Sequence, residues 1–180
     1  MNPAPNLIFI GPMGAGKTSI GRRVAERFGL TFVDVDHYIE EHTGVAVRDI
    51  FELEGEPGFR RRESAALAEL CAGTDQLIAT GGGAILDPDN RALLARNGFV
   101  VWLRCGVDRQ LERLAHDRAR PLLAAPDRRE RLEQLAAVRD PLYAQCADYV
   151  FESDQRRVVV ASARLSLALA ERWRQGERAA

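Results

Sequence analysis

Lysine is nearly absent from this 180-residue chain: its 25 basic residues are 24 arginines and one lysine, Lys17. The chain has no apolar run of membrane length and no charged segment with a signal core at its N-terminus. Its net charge of −1 argues against nucleic acid as the main partner. Cysteine is scarce, and Cys71, Cys105 and Cys146 form no C-x-x-C pair, so reduced structural thiols are expected. These absences predict a cytoplasmic protein without a membrane or nucleic-acid partner.

The single lysine lies in residues 11–18, which match the phosphate-binding pattern G-x-x-x-x-G-K-[ST] at every fixed position. An apolar run at 7–10 predicts a buried strand before it, and apolar residues at helical spacing over 20–28 predict a helix after it. The glycines let backbone N–H groups converge on phosphate oxygens, and the helix N-terminus adds partial positive charge. Lys17 can then reach the β- and γ-phosphates of a nucleotide, and the Thr18 hydroxyl can bind Mg²⁺. A chance glycine-rich turn would require neither flanking element, so the segment predicts a nucleotide site.

Two aspartates end the second predicted strand, which covers residues 30–36. Asp34 and Asp36 are two positions apart, so on a strand both side chains would share one face at the edge where ligands bind. A helix-capping role for Asp36 is the alternative, but it explains only one of the two carboxylates. The pair therefore favours a metal or substrate role.

Further strands are predicted at residues 76–80, 99–103 and 149–151, with helices between them. Three glycines at 81–83 follow the third strand directly and let the backbone come close to a ligand. This alternation predicts an α/β fold with a five-stranded parallel sheet and helices on both faces. The proline-bounded, aperiodic residues 119–126 predict a loop, and Arg120 makes that loop a candidate lid.

Three successive arginines, at residues 60–62, lie on a predicted helix. Helix neighbours point about 100° apart, so the three side chains cannot all face one ligand. Arg60 and Glu63 are three positions apart and can share a face. Solvated surface charge is the default interpretation of such a run, and the residues alone leave a site role for Arg60 open.

Six segments of the chain closely resemble shikimate kinases, in the order and near the spacing of that family. The phosphate-binding segment alone is generic, whereas the combination of the other five is specific to the family. Together the six segments cover roughly residues 7 to 155. They are residues 11–18, the pair Asp34 and Asp36, Gly58-Phe59-Arg60-Arg61-Arg62-Glu63, Gly81-Gly82-Gly83, Arg120-Pro121-Leu122-Leu123 and Arg139-Asp140-Pro141-Leu142-Tyr143.

The resemblance implies transfer of the γ-phosphoryl group of ATP to the 3-hydroxyl of shikimate, in aromatic amino-acid biosynthesis. It also implies one P-loop kinase domain over residues 1–180, of the nucleoside-monophosphate-kinase type. Within that domain it implies a substrate-binding segment at about 36–63 and a mobile lid at 118–126. We expect Mg²⁺ as cofactor, ATP as co-substrate, shikimate as substrate, and a monomer.

The same resemblance implies roles for individual residues. Asp34 would hold Mg²⁺ through water, Asp36 would accept the proton of the shikimate hydroxyl, and Arg60 and Arg139 would hold the carboxylate. The resemblance implies that the ATP site contains Gly14, Ala15, Gly16, Lys17, Thr18, Ser19, Arg113, Arg120, Gln155 and Arg156. It implies that Thr18 and Asp34 hold the metal. It implies that the shikimate site contains Asp36, Arg60, Glu63, Gly81, Gly82, Gly83 and Arg139, and that Lys17, Asp36 and Arg120 are the catalytic residues.

Three other functions remain open at this stage. A kinase of the same architecture could act on gluconate or a nucleotide, although two arginines with Asp36 favour shikimate. A guanine-specific switch would need an N-K-x-D motif, and the single lysine already lies in the phosphate-binding segment. A relative that binds nucleotide without catalysis would have little need for the full set Lys17, Thr18, Asp34 and Asp36.

Overall fold

A five-stranded parallel sheet forms the centre of the computed structural model, which describes residues 2–115, 127–153 and 157–175. The strands in these residues are β1 (Asn2–Ala4), β2 (Leu7–Ile10), β3 (Thr31–Asp34), β4 (Gln76–Ala79), β5 (Phe99–Arg104), β6 (Tyr149–Glu152) and β7 (Trp173–Gln175). The main sheet has the order β3-β4-β2-β5-β6, with every neighbouring pair parallel. The predicted fold class is therefore confirmed.

Helices cover both faces of this sheet. They are α1 (Lys17–Phe28), α2 (Val35–Thr43), α3 (Val47–Leu70), α4 (Pro88–Asn97), α5 (Val107–Leu114), α6 (Arg128–Cys146) and α7 (Val158–Arg172), with a 3₁₀ turn at Ala84–Leu86. Alternate residues of β2 enter two separate cores, because successive side chains of a strand point to opposite faces. Leu7 and Phe9 pack in the core that includes α1 and α7, whereas Ile8 and Ile10 pack in the core that includes α3, α4 and α6.

The second predicted strand is shorter in the structure than the sequence pattern indicates. Strand β3 ends at Asp34, and the chain enters α2 at Val35. The Asp34 carboxylate caps this helix by accepting a hydrogen bond from the Asp36 N–H at 3.2 Å. The capping role therefore belongs to Asp34, and Asp36 lies in the first turn of α2 rather than on a strand.

Two helices contain residues that commonly interrupt a helix. Gly55 has backbone angles of φ 68° and ψ −179°, so α3 is two helices joined at that glycine. Helix α6 continues through Pro141 to Cys146. The short strands β1 and β7 form a separate parallel ladder that the sequence did not predict. No described helix is long and apolar enough to cross a membrane.

Candidate active site

The turn between β2 and α1 carries the only lysine of the chain at the start of a helix. Gly11, Gly14 and Gly16 all have positive φ, and a Cβ on Gly11 would lie 2.5 Å from the Leu103 carbonyl oxygen. Only glycine fits these positions without strain. The Lys17 Nζ donates to the carbonyl oxygens of Gly11 at 2.7 Å and Pro12 at 2.9 Å. The ammonium is thus held inside the turn, at the N-terminus of α1.

Two residues from distant elements hold the carbonyl groups on the other side of this turn. Arg113 of α5 donates to the carbonyl oxygen of Gly14 at 2.8 Å, and to the carbonyl and hydroxyl oxygens of Ser153 at 2.9 and 3.2 Å. The Ser153 hydroxyl donates to the Ala15 carbonyl oxygen at 2.5 Å. Arg113 was predicted at the nucleotide, but Ser153 was not. Its only sequence signal is its position directly after a strand of the sheet.

A hydroxyl and two carboxylates lie at the carboxyl end of β3. The Thr18 Oγ1 donates to Asp34 Oδ2 at 2.7 Å, and Asp36 follows in the first turn of α2. Among the described residues, no group of three or more histidine, cysteine or acidic side chains could hold a metal ion. The oxygen atoms of Thr18 and Asp34 form a small, hard donor set of the kind that Mg²⁺ accepts.

A cleft of about 690 Å³ opens beside the glycine-rich turn. Most residues predicted at ATP and the metal line it, together with His37 and Glu40 of α2. Ala15 does not line the cleft, since its side chain is fully buried. The residues from the predicted set that do line it are Gly14, Gly16, Lys17, Thr18, Ser19, Asp34, Asp36, Gly81, Gly82 and Arg113.

A second, smaller pocket of about 90 Å³ adjoins this cleft. Met13, Asp36, Gly81 and Gly82 line both spaces. The remaining walls are apolar or cationic, from Val47, Phe51, Phe59, Arg60, Gly83 and Arg139. The pocket therefore offers two guanidinium groups, an apolar surface and one carboxylate to a small ligand beside the phosphate-binding turn.

The two arginines of the small pocket are held differently. Arg60 forms ion pairs with Glu63 at 2.6 Å and Glu56 at 3.0 Å. Arg139 is 5% exposed, and no carboxylate of the described residues forms an ion pair with it. Burial lowers the pKa of Arg139, and the neighbouring Arg60 charge acts in the same direction. A buried guanidinium beside a second one is a favourable place for an anionic ligand group.

Glu63 was predicted at the substrate but lies behind the pocket wall. Its side chain is fully buried, and it does not line the pocket. Burial raises its pKa, while the Arg60 charge opposes that shift. Glu63 therefore contacts Arg60 rather than the space that a substrate would occupy.

The glycines at 81–83 make room for side chains as well as for a ligand. A Cβ on Gly81 would lie 2.2 Å from Glu63 Oε1, and a Cβ on Gly83 would lie 2.2 Å from Arg60 Nη2. Gly82 accepts a hydrogen bond at its carbonyl oxygen from the Tyr143 hydroxyl, at 2.5 Å. The turn thus lets α3 and α6 approach the end of β4.

Three residues with predicted roles lie outside the described residues. They are Arg120, with the predicted lid at 118–126, and both candidates for the adenine contact, Gln155 and Arg156.

The fold and its two adjoining pockets define a P-loop kinase of small molecules. The family model described as "Shikimate kinase" matches residues 13–168. A shikimate kinase of Stenotrophomonas maltophilia (strain R551-3) is 58% identical over 175 residues, which are 97% of each chain. A shikimate kinase of Xylella fastidiosa (strain 9a5c) is 53% identical over the full length of both chains. The chain therefore belongs to the shikimate kinase family, and it is an ATP-dependent kinase.

A solved structure extends this similarity to three dimensions. The shikimate kinase from Acinetobacter baumannii, in complex with shikimate, superposes with a TM-score of 0.88 at 44% identity. The match covers 93% of this chain and 94% of that one. The resemblance drawn from six sequence segments is confirmed.

Proposed function

We propose that the chain transfers the γ-phosphoryl group of ATP to the 3-hydroxyl of shikimate, giving ADP and shikimate 3-phosphate. The observation that carries this proposal is the small pocket in which Arg60 and Arg139 lie beside the phosphate-binding cleft. Guanidinium groups bind carboxylates through short, charge-assisted and often bidentate hydrogen bonds. A carboxylate at the two arginines, with a hydroxyl near Asp36, describes a small hydroxy acid such as shikimate. The Acinetobacter baumannii relative, solved with shikimate bound, supports the same substrate.

The reaction requires a positioned hydroxyl and stabilised phosphate charge more than covalent chemistry by the protein. Asp36 lines both spaces and is proposed to accept the hydroxyl proton. The hydroxyl oxygen then forms a bond to the γ-phosphorus as the bond to the β–γ bridging oxygen breaks and ADP leaves. Lys17 and the backbone N–H groups of the turn are proposed to stabilise the charge on the phosphate oxygens.

Mg²⁺ is general for kinases of this kind, and the residues present fit it. Thr18 and Asp34 bring a hydroxyl and a carboxylate oxygen together at 2.7 Å. Mg²⁺ needs only one or two protein ligands beside a nucleotide, because phosphates and waters complete its shell. We propose Thr18 as a direct ligand and Asp34 as a ligand through water. When bound, the ion neutralises charge on the β- and γ-phosphates.

The remaining expectations stay proposals. We propose one P-loop kinase domain, with the substrate-binding segment at 36–63 formed by α2 and the first part of α3. The predictions of a monomer and of a cytoplasmic location rest on the sequence alone. Light scattering of the purified chain tests the first of these two.

A coupled ADP-release assay tests the proposed activity. The purified chain is incubated with MgATP and, in separate reactions, with shikimate, gluconate or nucleoside monophosphates. We expect turnover with shikimate alone, because only shikimate among these compounds carries a carboxylate together with ring hydroxyls. Comparable turnover of gluconate or a nucleotide, without shikimate turnover, would contradict the proposal.

A further inference from the structure

Tyr143 of α6 is a fully buried tyrosine whose hydroxyl points toward the small pocket. Its side chain is 0% exposed, and its ring stacks on Trp102 with 5.6 Å between the ring centroids. The hydroxyl donates to the Gly82 carbonyl oxygen at 2.5 Å. The guanidinium group of Arg139, one helical turn earlier on α6, lies beside it: the two residues line the same small cavity, and the Arg139 charge acts on the pKa of the phenol. The hydroxyl therefore lies between two different walls of the pocket.

Packing alone does not account for this hydroxyl. A phenylalanine would fill the same core space, and a buried hydroxyl is costly unless it is hydrogen-bonded. Gly82, which accepts from the hydroxyl, and Arg139, which lies beside it, both line the pocket. They are also neighbours, since a Cβ on Gly82 would lie 3.6 Å from Arg139 Nη1. The hydroxyl thus sits where the glycine turn and the arginine meet.

The protonation state of Tyr143 suits this position. Burial raises its pKa far above the ordinary value, although the Arg139 charge acts in the opposite direction. The phenol therefore keeps its proton at neutral pH and donates it to the Gly82 carbonyl oxygen. Its oxygen atom can still accept a hydrogen bond from a guanidinium group, which has donors but no acceptor.

Among the described residues, the two arginines of the pocket differ in what holds them. Arg60 is fixed by ion pairs with Glu56 and Glu63. No described carboxylate does the same for Arg139, and its pKa is lowered by burial. A guanidinium group without a carboxylate partner keeps one orientation only if another oxygen atom fixes it.

We propose that Tyr143 is a positioning residue, whose hydroxyl fixes the Arg139 guanidinium and the Gly82 peptide relative to each other at the carboxylate end of the substrate pocket. The inference rests on the proposed function, because it requires a substrate carboxylate at Arg139. In this role Tyr143 contributes to the preference for a substrate with a charged carboxylate. It contributes neither to ATP binding nor to phosphoryl transfer itself.

The variant Tyr143→Phe removes the hydroxyl and keeps the ring. Shikimate and its methyl ester are the two probes, because the ester lacks the carboxylate charge and differs otherwise by one methyl group. Dissociation constants for both are measured by calorimetry, with steady-state KM and kcat for shikimate and MgATP. We expect shikimate affinity to fall roughly ten- to a hundredfold, the range for leaving one buried partner unsatisfied. The affinity for the methyl ester and the KM for MgATP should change little.

Tyr149→Phe is the matched control. Tyr149 lies on β6 and contacts Arg172, away from both pockets, so the same substitution there should leave all of these constants unchanged. An equal loss of affinity for shikimate and ester in Tyr143→Phe, or an equal rise in both KM values, would overturn the positioning role. A wild-type chain that binds shikimate and ester equally well would contradict the carboxylate site of the proposed function, and the role of Tyr143 with it.

A measurement on the unaltered sequence covers the case in which Tyr143→Phe does not fold. The chain contains three tyrosines, so 3-fluorotyrosine labelling gives three ¹⁹F resonances, assigned with Tyr38→Phe and Tyr149→Phe. We expect shikimate to shift the Tyr143 resonance and the methyl ester to leave it nearly in place. A Tyr143 resonance that shikimate does not move would overturn the inference.

Discussion

Lys17 occupies a space that is built from backbone oxygen atoms. Its ammonium lies 2.7 and 2.9 Å from two carbonyl oxygens of the turn, so the turn holds a compact cation at the edge of the cleft. A guanidinium group is planar and wider, and its five donors need a different set of partners. These contacts favour lysine at this position in a chain whose other 24 basic residues are arginines.

Replacing Lys17 with Arg tests that explanation. Lys17→Arg should fold normally, because the charge is kept and the side chain reaches an open cleft. We expect the activation free energy of the reaction to rise by an amount on the order of 2.7–4 kcal/mol, as when one preorganised donor is removed, and kcat to fall accordingly. Thermal melting without ligand and steady-state rates with MgATP and shikimate are measured together. Melting and rate both equal to those of the parent would show that lysine is accidental at this position.

The two aspartates near β3 should respond differently to the same change. Asp36 lines both pockets, so Asp36→Asn should lower kcat steeply while MgATP still binds. Asp34 contacts Thr18 and caps α2, so Asp34→Asn should shift the Mg²⁺ concentration that gives half-maximal rate. Rates are measured across a Mg²⁺ titration for both variants. Near-parent turnover in Asp36→Asn would remove it as the proton acceptor.

The sequence pattern brought together residues that line the cleft and the pocket, but it did not predict the backbone geometry around the two aspartates. The alternation of apolar and acidic residues over 30–36 indicates a strand, but the chain enters α2 at Val35, and the Asp34 carboxylate caps that helix by accepting a hydrogen bond from the Asp36 N–H. Ser153 was not predicted, because its position directly after a strand does not reveal which groups it contacts. Its role depends on contacts with Arg113 and the Ala15 carbonyl oxygen, which lie far from it in the sequence.

At the scale of single elements, the glycine turn after β4 decides how closely α3 can approach the sheet. The sequence pattern predicts that the three glycines of this turn let the backbone come close to a ligand. In the structure, Gly81 and Gly83 also leave room for Glu63 and Arg60, which is a contact between side chain and backbone that no local pattern encodes. The turn therefore sets the position of a charged residue in the pocket.

Adding a methyl group at Gly83 should displace Arg60 without unfolding the chain. The new Cβ would lie 2.2 Å from Arg60 Nη2, the end of a flexible side chain that can move away. We expect Gly83→Ala to lower kcat/KM for shikimate by a factor equivalent to a free-energy change of about 2 kcal/mol or more, as when a charged contact is lost. The KM for MgATP should change little.

Gly106→Ala is the control for this substitution. Gly106 precedes α5 with φ −65°, and a Cβ there meets nothing within 4 Å. Its melting temperature and both KM values should equal those of the parent. If Gly83→Ala also keeps parent values for shikimate, Arg60 does not need its present position.

At the scale of the whole molecule, the binding edge and the β1–β7 ladder lie at opposite ends of the sheet. The glycine-rich turn and the glycines at 81–83 follow the carboxyl ends of β2 and β4, and Asp34 is the last residue of β3. Helix α7 begins at the cleft with Val158 and runs 15 residues, about 22 Å, away from it. There β7 pairs with β1, next to the amino end of the sheet.

The main sheet could be predicted from the sequence, whereas this terminal ladder could not. Each strand of the main sheet is a buried apolar run between helices, and that alternation fixes a parallel arrangement. Strands β1 and β7 have three residues each, carry no periodic pattern and come from the two ends of the chain. Their pairing depends on the tertiary packing of α7, which no local pattern specifies.

Trp173 connects these ends, and its loss should separate stability from activity. The side chain is 3% exposed, packs edge-on against Phe28 with 5.6 Å between ring centroids, and donates from Nε1 to the Ala4 carbonyl oxygen at 3.1 Å. Trp173→Ala should lower the free energy of unfolding by about 3–5 kcal/mol, the usual cost of emptying an aromatic site in a core. Because the ladder is a helix length from the cleft, kcat and both KM values should stay near those of the parent well below the melting transition.

Trp173→Phe keeps an aromatic ring at this position and should lose much less stability. Denaturant unfolding and steady-state assays on the same preparations check both expectations. Intact stability in Trp173→Ala would contradict the packing role of Trp173, and impaired KM values would show that the two ends of the sheet are not independent.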